Sequence, residues 1–365
     1  MRLDLKERNI EKNAAQYYKS SQTMFLPVTP LSLINGFVLK LGKNHYHFID
    51  EETPFNNIST CSILNNKFRT NRLLELGGIP VPKSVSLHVS EFQKNKTLEK
   101  ITHLKFPLVI KPLICSSKGK DVLCNIQSAD ALLKLLKPYF DSYDFVLIEE
   151  FHAHLNSYRV LLFNKKIIGV VQRFPAAVIG DGTHNIKELI EITNKKRKKG
   201  YDFLAPIQID EECMLKLKEL NLTLDYIPAP EERVVLGYTS NTSRGGSYAT
   251  VKNSISKENK KIFIKAAALL NINLAGIDVE CADIKKPITE SNGVIIEVNQ
   301  RPSIRIHEFP LHGKPLLVTK KIMRSFILRH PVAYLYSLYY DKRTAFYVRS
   351  LLSFILFGVL YFFIT

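Results

Sequence analysis

Apolar and polar positions along the chain predict short strands and amphipathic helices in mixed order. Helical spacing marks five segments, namely 66–76, 130–136, a helix from Asn185, 209–220 and 257–270. Strand patterns mark 45–49, 106–110, 145–148, 274–281 and 294–298, and a hairpin at 159–174 that turns at Asn164. Residues 31–41 fit either a helix or a strand. Because strands and helices intermix without strict alternation, the chain is predicted to be α+β.

The C-terminal segment predicts a membrane anchor. Residues 350–365 carry no charge, and the extension back to position 345 adds only Arg349. As helices these stretches would be roughly 24 and 31 Å long, against a hydrocarbon core of about 30 Å. A buried C-terminal helix is the alternative, but a helix that is apolar on every face is hard to bury in a soluble protein. We therefore expect a helix at 345–365 that spans the membrane or lies on it, with Arg349 at the interface.

The residues before this segment are basic and aromatic. Positions 320–349 hold seven basic residues and one acidic residue, interleaved with Phe and Tyr, within a chain of net charge +17. Such a stretch suits an anionic cytoplasmic leaflet and places the body in the cytoplasm. Nucleic-acid binding is the competing explanation for the charge, but no zinc-finger spacing, RNP motif or convincing helix-turn-helix accompanies it.

Cysteine usage and the N-terminus agree with a cytoplasmic body. The five cysteines are scattered and include no CxxC pair, which argues against a disulfide framework and a cysteine zinc site. The first twenty residues are polar and charged where a signal peptide needs an apolar core.

Two predicted strands near the end of the body carry candidate metal ligands. Glu297 and Asn299 stand two positions apart in IIEVNQRP, so a strand points them to the same face. Asp278, in LAGIDVEC, would join them if its strand lies alongside. Two carboxylates and an amide suit Mg²⁺, which prefers hard oxygen ligands. Solvated acids on edge strands are the alternative, but both acids interrupt runs of Ile and Val, where an unpaired carboxylate is costly.

Two lysines and a small-residue loop are candidates for phosphate binding. Lys111 ends a predicted buried strand, and Lys67 opens a predicted helix. The loop after Lys111 contains Ser116, Ser117 and Gly119, whose backbone N–H groups could approach phosphate. It does not have the Walker A pattern.

Further candidates follow the strand at 145–148 and lie beyond it. Main-chain groups at Glu149, Glu150 and Phe151 could recognise an adenine edge, with Glu149 accepting a hydrogen bond from the exocyclic amine; two solvated acids are an equal alternative. Arg159, Arg233 and Asn241 are donors that could hold a transferring phosphate or a reacting carboxylate. Asn241 also opens the turn NTSRGGS, which suits close approach of backbone to a ligand.

Together these segments resemble the ATP-grasp superfamily, and in particular the ATP-grasp part of cyanophycin synthetases, over about 29–307. The similar segments are ILNNKFRTNRLLELGGIPVPKS, PLVIKP, VLIEEF, VIGDGTHNIKELIEITN, NTSRGGSYATV, AGIDV and IIEVNQRP. The resemblance implies a nucleotide between two α+β lobes and two Mg²⁺ ions, with Mn²⁺ as an alternative. It implies an ATP-dependent ligase that phosphorylates a carboxylate and then forms an amide with an amine.

The resemblance also implies roles for particular residues. Lys67, Lys111, Glu149, Arg233, Asp278, Glu297 and Asn299 would form the ATP–Mg²⁺ set, with Arg159 and Asn241 as further site residues. Ser157 stands where the family has an acidic ribose-binding residue, which puts the ribose contact in doubt. Gly237 and Tyr238 stand where cyanophycin synthetases have paired arginines, and the Mur-ligase-like domain is absent, so cyanophycin synthesis is not expected.

The predicted organisation follows from these segments. Residues 1–60 are an N-terminal segment or partial pre-ATP-grasp region, 61–150 the N-lobe and 151–315 the C-lobe with the metal site. Residues 316–344 are a juxtamembrane segment, and 345–365 the anchor. We expect ATP with amino-acid, peptide or envelope-linked substrates and no nucleic acid, and we leave a homodimer open. The alternative function is a membrane-anchored nucleotide-binding pseudoenzyme that acts as an interaction protein.

Overall fold

The computed structural model describes residues 10, 12–114, 121–200, 204–251 and 255–364. The helices are α1 (Lys12–Thr23), α2 (Ile58–Leu64), α3 (Lys67–Leu76), α4 (Val89–Gln93), α5 (Thr97–Lys100), α6 (Ala129–Phe140), α7 (Ile186–Gly200), α8 (Glu211–Glu219), α9 (Lys257–Leu269), α10 (Arg305–Glu308), α11 (Val318–Arg329), α12 (Pro331–Tyr340) and α13 (Ala345–Ile364). The strands are β1 (Val28–Leu31), β2 (Gly36–Leu41), β3 (Asn44–Ile49), β4 (Ser84–His88), β5 (Leu108–Pro112), β6 (Leu123–Ile126), β7 (Phe145–Glu150), β8 (Asn156–Phe163), β9 (Lys166–Phe174), β10 (Ala177–Ile179), β11 (Arg233–Val235), β12 (Ser247–Thr250), β13 (Leu274–Cys281) and β14 (Val294–Asn299).

These elements belong to two compact units. Unit 1 comprises Met1–Asn56, Arg301–Phe309 and Pro315–Thr365, and unit 2 comprises Asn57–Gln300 and Pro310–Lys314.

Unit 1 has an aromatic core beneath a small antiparallel sheet. In the described part of this unit, β2 lies between β1 and β3. Phe37 of β2 stacks on Phe48 of β3 with ring centroids 4.6 Å apart, and Phe326 of α11 packs on Phe48. Because Phe326 is fully buried, the segment 316–344 begins with a helix that is part of the core of unit 1. The sequence pattern of residues 31–41 fits either a helix or a strand. In the structure these residues are mainly strand.

A buried polar chain joins α1 to α11 within unit 1. The hydroxyl groups of Ser20 and Thr319 lie 2.6 Å apart. Glu308 accepts hydrogen bonds from the Thr319 backbone N–H, at 2.8 Å, and from its hydroxyl. Burial raises the pKa of Glu308 above its usual range, although the bonds from Thr319 act in the opposite direction.

The C-terminal helix α13 has no buried residue. Among the described residues it is the one helix that is long and apolar enough to cross a membrane. This agrees with the expected helix at 345–365 in length and composition.

Unit 2 contains the remaining sheets, and all of their described strand pairs are antiparallel. In the described ranges, β4-β7-β5-β6 form one sheet, β12-β9-β8-β13-β14 a second and β10-β11 a third. The predicted hairpin is confirmed as β8 and β9, where Phe163 pairs with Lys166 across the turn. The predicted α+β class is confirmed as well.

The five-stranded sheet has one apolar face and one polar face. Its apolar face packs against α9 through side chains such as Val160, Ile277 and Phe263. Gly77, at the end of α3, lies so close to Leu269 of α9 that a Cβ atom would be 2.2 Å from that side chain. The other face of the sheet is therefore left to carry polar side chains, because strand residues alternate between the two faces.

Two bulges decide which residues reach the polar face. In β9, Ile168 is an extra residue between the pairs Leu161–Gly169 and Leu162–Ile167. In β14, Ile296 is an extra residue between the pairs Asp278–Glu297 and Val279–Ile295. An extra residue reverses the alternation beyond it. This reversal lets Ile295 enter the core while Glu297 faces the other way.

Irregular segments partner both edges of this sheet. At the β14 edge, the Ile295 N–H donates to the Pro80 carbonyl oxygen at 2.8 Å. At the β12 edge, the Thr250 N–H donates to the His312 carbonyl oxygen at 2.9 Å.

Candidate active site

The polar face of the five-stranded sheet gathers charged side chains from four neighbouring strands. Asp278 of β13 stands directly opposite both Arg159 of β8 and Glu297 of β14. Directly opposed residues in antiparallel strands share a face. The structure thus brings Asp278, Glu297 and Asn299 to one face, as the sequence predicts, and adds Arg159 to them.

Asp278 is the centre of this group. It is buried, and Arg159 donates to both of its carboxylate oxygens, with the Nη2–Oδ2 bond at 2.9 Å. Arg173 of β9 adds a bond from Nη1 to Oδ2 at 3.0 Å. Burial alone would raise the pKa of Asp278, but the charges of the two arginines outweigh it and lower that pKa. Asp278 is therefore held as a carboxylate.

Arg173 also organises the neighbouring part of the face. Its Nη2 donates to the Ser157 hydroxyl at 2.9 Å. Glu280 shares this face because it pairs with Ser157, and burial raises the pKa of Glu280 to about 7. Ser157 is itself buried and bonded within the sheet. The assignment of Ser157 to the nucleotide site stays a prediction, with the ribose contact in doubt as the sequence indicates.

Helix α3 presents two side chains to two different sheets. It begins at an N-cap formed by Asn66, whose side chain accepts from the Arg69 N–H at 3.0 Å. Lys67 and Asn71, four positions apart, lie on one side of the helix. The Lys67 Nζ is 3.2 Å from Oε1 of Glu297 in the five-stranded sheet. The Asn71 Nδ2 donates to Oε1 of Glu149 in the four-stranded sheet at 2.8 Å.

Glu149 holds the second lysine. The Lys111 Nζ of β5 lies 2.5 Å from Oε2 of Glu149, and both side chains are almost fully buried. Directly after Glu149, the Glu150 carboxylate accepts from the Lys105 N–H and the Phe151 N–H donates to the Pro107 carbonyl oxygen. The structure thus gives Glu149 a positioning contact with Lys111, and adenine recognition by 149–151 stays a prediction.

Two predicted donors lie at the end of β9, beyond Arg173. Arg233 of β11 is exposed, with its guanidinium 6.0 Å from the centroid of the Phe174 ring. Asn241 begins the glycine-rich turn, and its carbonyl oxygen accepts from the Gly246 N–H at 2.9 Å. A Cβ atom at Gly246 would lie 2.8 Å from the Phe174 carbonyl oxygen, so the turn requires glycine there. Ser116, Ser117 and Gly119 lie outside the described residues.

Other arginines, which the sequence did not single out, fix that turn. The Arg244 Nη2 lies 2.5 Å from an Asp210 oxygen and 2.8 Å from a Glu212 oxygen. Arg197 donates to the Gly246 carbonyl oxygen at 3.0 Å. The turn carrying Asn241 is thereby tied to α7 and α8.

The polar face and its neighbouring lysines offer donors for a divalent cation and a polyanion. Within the described ranges no group of three or more His, Cys, Asp or Glu side chains gathers as a metal cluster. Glu297 and Asn299 nevertheless offer two oxygen donors from one strand, opposite a third on Asp278. Hard oxygen donors of this kind suit Mg²⁺. Lys67 contacts Glu297, and Arg159 and Arg173 contact Asp278, whereas Lys111 contacts Glu149. Cationic side chains of this kind suit phosphate oxygens.

Comparison with known proteins relates the chain to a family. A family model described as a RimK-like ATP-grasp domain matches residues 64–187. A cyanophycin synthetase of Crocosphaera subtropica is 32% identical over 281 residues, which cover 74% of this chain and 31% of that protein. A bifunctional glutathione biosynthesis protein of Clostridium perfringens is 30% identical over 269 residues, covering 72% of this chain and 34% of that protein. The chain thus spans about a third of the length of these relatives.

A solved structure shares the fold. The bifunctional glutathione synthetase from Pasteurella multocida aligns with a TM-score of 0.62 at 23% identity, covering 88% of this chain and 44% of that one. The likeness at this identity concerns the fold alone.

Proposed function

Because this chain belongs to the ATP-grasp superfamily and contains a RimK-like ATP-grasp domain, we propose that it is an ATP-dependent carboxylate–amine ligase. The observation that carries the proposal is the opposed pair of Asp278 and Glu297 on a polar sheet face. Lys67 of α3 contacts Glu297, and Arg159 of β8 and Arg173 of β9 contact Asp278. The relatives support the same reaction class, since one is named a cyanophycin synthetase and the other a glutathione biosynthesis protein.

The reaction has two steps. A carboxylate oxygen of the acid attacks the γ-phosphorus of ATP, which gives an acyl phosphate and ADP. The amine nitrogen then attacks the carbonyl carbon, phosphate leaves with the C–O bonding electrons, and the nitrogen loses a proton. Orientation of the amine beside the acyl phosphate favours the amide over hydrolysis.

The chain's own side chains have separate tasks in these steps. Lys67 and Lys111 would neutralise phosphate oxygens, and Glu149 with Asn71 fixes where Lys111 lies. Arg159 and Arg173 keep Asp278 ionised. Glu297, Asn299 and Asp278 would hold Mg²⁺, which when bound screens the phosphate charge. We propose two Mg²⁺ ions, with Mn²⁺ as an alternative.

We also propose that α13 anchors the protein in a membrane and leaves the body in the cytoplasm. Its length, its composition and the absence of buried residues along it support this. The acid would then be an amino acid, a peptide or an envelope-linked carboxylate.

The test is ADP release by the full chain in detergent, with Mg²⁺ and pools of amino acids and small peptides. We expect ADP only when a particular acid and amine are present. Glu297→Ala should abolish this release, whereas Glu290→Ala, at an exposed position of the same unit, should not. Tight Mg²⁺-dependent ATP binding without turnover would favour the pseudoenzyme. Absence of both ATP binding and turnover would contradict the nucleotide site.

A further inference from the structure

Helix α12 exposes a row of large apolar and aromatic side chains. Val332, Leu335, Tyr336 and Tyr340 are between 58% and 79% exposed. Their spacing of three, one and four positions places them on one side of the helix. We call these four residues the aromatic face. Tyr336 and Tyr340 contact each other within it, with ring centroids 4.8 Å apart.

The opposite side of α12 is fixed to the body of unit 1. The Tyr334 hydroxyl donates to the Met24 carbonyl oxygen at 2.7 Å. Just before the helix, His330 Nε2 lies 2.6 Å from the Tyr46 hydroxyl. The aromatic face is therefore presented to the outside by a helix that is packed on its other side. Exposed apolar surface of this kind marks an interaction site.

Positive charge surrounds the aromatic face. Arg329 and Lys342 are exposed at its two ends. Asp341, the one acidic residue between them, is engaged by Arg343 with an Nη2–Oδ2 distance of 2.7 Å. The excess of charge is therefore positive on a surface that also exposes tyrosine. Tyrosine together with Lys and Arg is typical of surfaces at the membrane interface.

The aromatic face also adjoins the proposed anchor. Residues 341–344 are the whole connection between α12 and α13. The Arg349 guanidinium lies 4.6 Å from the centroid of the Tyr339 ring, and its Nε donates to the Tyr339 carbonyl oxygen at 3.3 Å. The N-terminal part of α13 is thus held against the end of α12. A bilayer that contains α13 would come close to α12.

We propose that the aromatic face lies in the headgroup region of an anionic bilayer, so that unit 1 rests on the membrane surface. This inference rests on the anchoring by α13 proposed above. Anionic lipid fits the face better than a second copy of the chain does, because two copies would bring like charges together. The exposed rings would enter the boundary between headgroups and acyl chains.

The absence of tryptophan from the chain allows a direct test. Single tryptophans are introduced as Tyr336→Trp on the aromatic face, Phe357→Trp in α13 and Tyr226→Trp, an exposed control in unit 2. Each full-length variant is reconstituted into vesicles that contain phosphatidylglycerol. Fluorescence quenching is compared between lipids brominated near the headgroup and lipids brominated deep in the acyl chain.

We expect Tyr336→Trp to be quenched by the shallow bromines, Phe357→Trp by the deep bromines, and Tyr226→Trp by neither. Adding Arg329→Glu and Lys342→Glu to Tyr336→Trp should weaken its quenching several-fold. Quenching of Phe357→Trp without quenching of Tyr336→Trp would overturn the inference and leave the anchor intact. Quenching of Tyr336→Trp alone would support the interfacial face and contradict the anchor. Lack of quenching at both positions would reject both.

Discussion

At the residue scale, Asp278 and Glu297 face each other across a strand pair but have different surroundings. Asp278 is buried between two arginines, whereas the Glu297 side chain is 34% exposed and contacts Lys67. Removal of one partner from a buried charge network leaves the others unpaired and costs about 3–5 kcal/mol. Partly exposed ion pairs contribute about 1 kcal/mol or less.

We therefore expect Asp278→Ala to lower the free energy of unfolding by about 3–5 kcal/mol, because Arg159 and Arg173 lose their carboxylate. Glu297→Gln should change it by about 1 kcal/mol or less yet reduce ADP release roughly 100-fold or more. Urea unfolding and the ADP assay measure the two effects. Equal destabilisation by both variants would contradict the difference in burial and ion pairing between the two acids.

Glu308 in unit 1 gives a pH prediction. Its pKa is raised in the folded protein, so the folded state holds this proton more tightly than the unfolded chain does. The contribution of Glu308 to the free energy of unfolding is fully present below the ordinary glutamate pKa. It is lost as pH rises through the pKa that Glu308 has in the folded protein. Three titratable neighbours interact electrostatically with Glu308. The charges of Lys19 and Lys320 lower its pKa, and burial and the charge of Glu308 raise the pKa of Tyr17.

We expect Glu308→Gln to remove this part of the pH dependence, because glutamine does not titrate. The free energy of unfolding of the variant, relative to the natural chain, should rise with pH across that window and be constant above it. Denaturant titrations at a series of pH values measure this difference. A difference that does not vary with pH would show that burial of Glu308 is not the cause.

At the element scale, the site depends on where strands break their alternation. Regular alternation in β14 would put Ile295 and Glu297 on one face, so that either an acid would enter the core or an isoleucine would leave it. The bulge at Ile296 removes this conflict.

Deletion of Ile296 should therefore be tolerated, because Ile295 and Glu297 become neighbours in a regular strand and still point to opposite faces. We expect unit 2 to keep its cooperative unfolding transition, measured by near-ultraviolet circular dichroism. Deletion of Val298 is the comparison of equal length change: it makes Glu297 and Asn299 neighbours, sends them to opposite faces and should abolish ADP release. An Ile296 deletion that does not fold would show that the bulge itself is needed, and not only the alternation on its two sides.

The same bulges mark the limit of what the sequence could predict. Several helices, the hairpin and the strands of Asp278 and Glu297 followed from local patterns, because apolar runs and turn residues act over a few positions. The position of Arg173 on the polar face could not be predicted from local patterns. From the turn at Asn164, a regular hairpin would set Gln172 opposite Ser157; the extra residue Ile168 sets Arg173 there instead. The contact between Asn71 and Glu149 was hidden as well, since it joins distant segments.

At the scale of the whole molecule, the division into two units predicts where a ligand acts. All site residues that the structure describes belong to unit 2. A ligand that binds only the folded form stabilises it by about 2.7 kcal/mol at a hundred times its Kd. ATP with Mg²⁺ should therefore slow amide hydrogen exchange in β13 and β14.

Strands β2 and β3 of unit 1 serve as the internal control for this measurement and should change little. Hydrogen exchange followed by mass spectrometry gives both values in one experiment, and Glu297→Ala should remove the protection in unit 2. Protection confined to β2 and β3 would assign the nucleotide to unit 1 and contradict the proposed site.

The partnered edges of the five-stranded sheet have a consequence for aggregation. An open edge strand is a template on which another chain can add its own strand. Here the hydrogen bonds from Ile295 to Pro80 and from Thr250 to His312 use backbone groups at both described edges. Confinement to a bilayer would raise the local concentration of the protein and favour such strand addition. We expect these two short contacts to oppose fibre-like association under crowding.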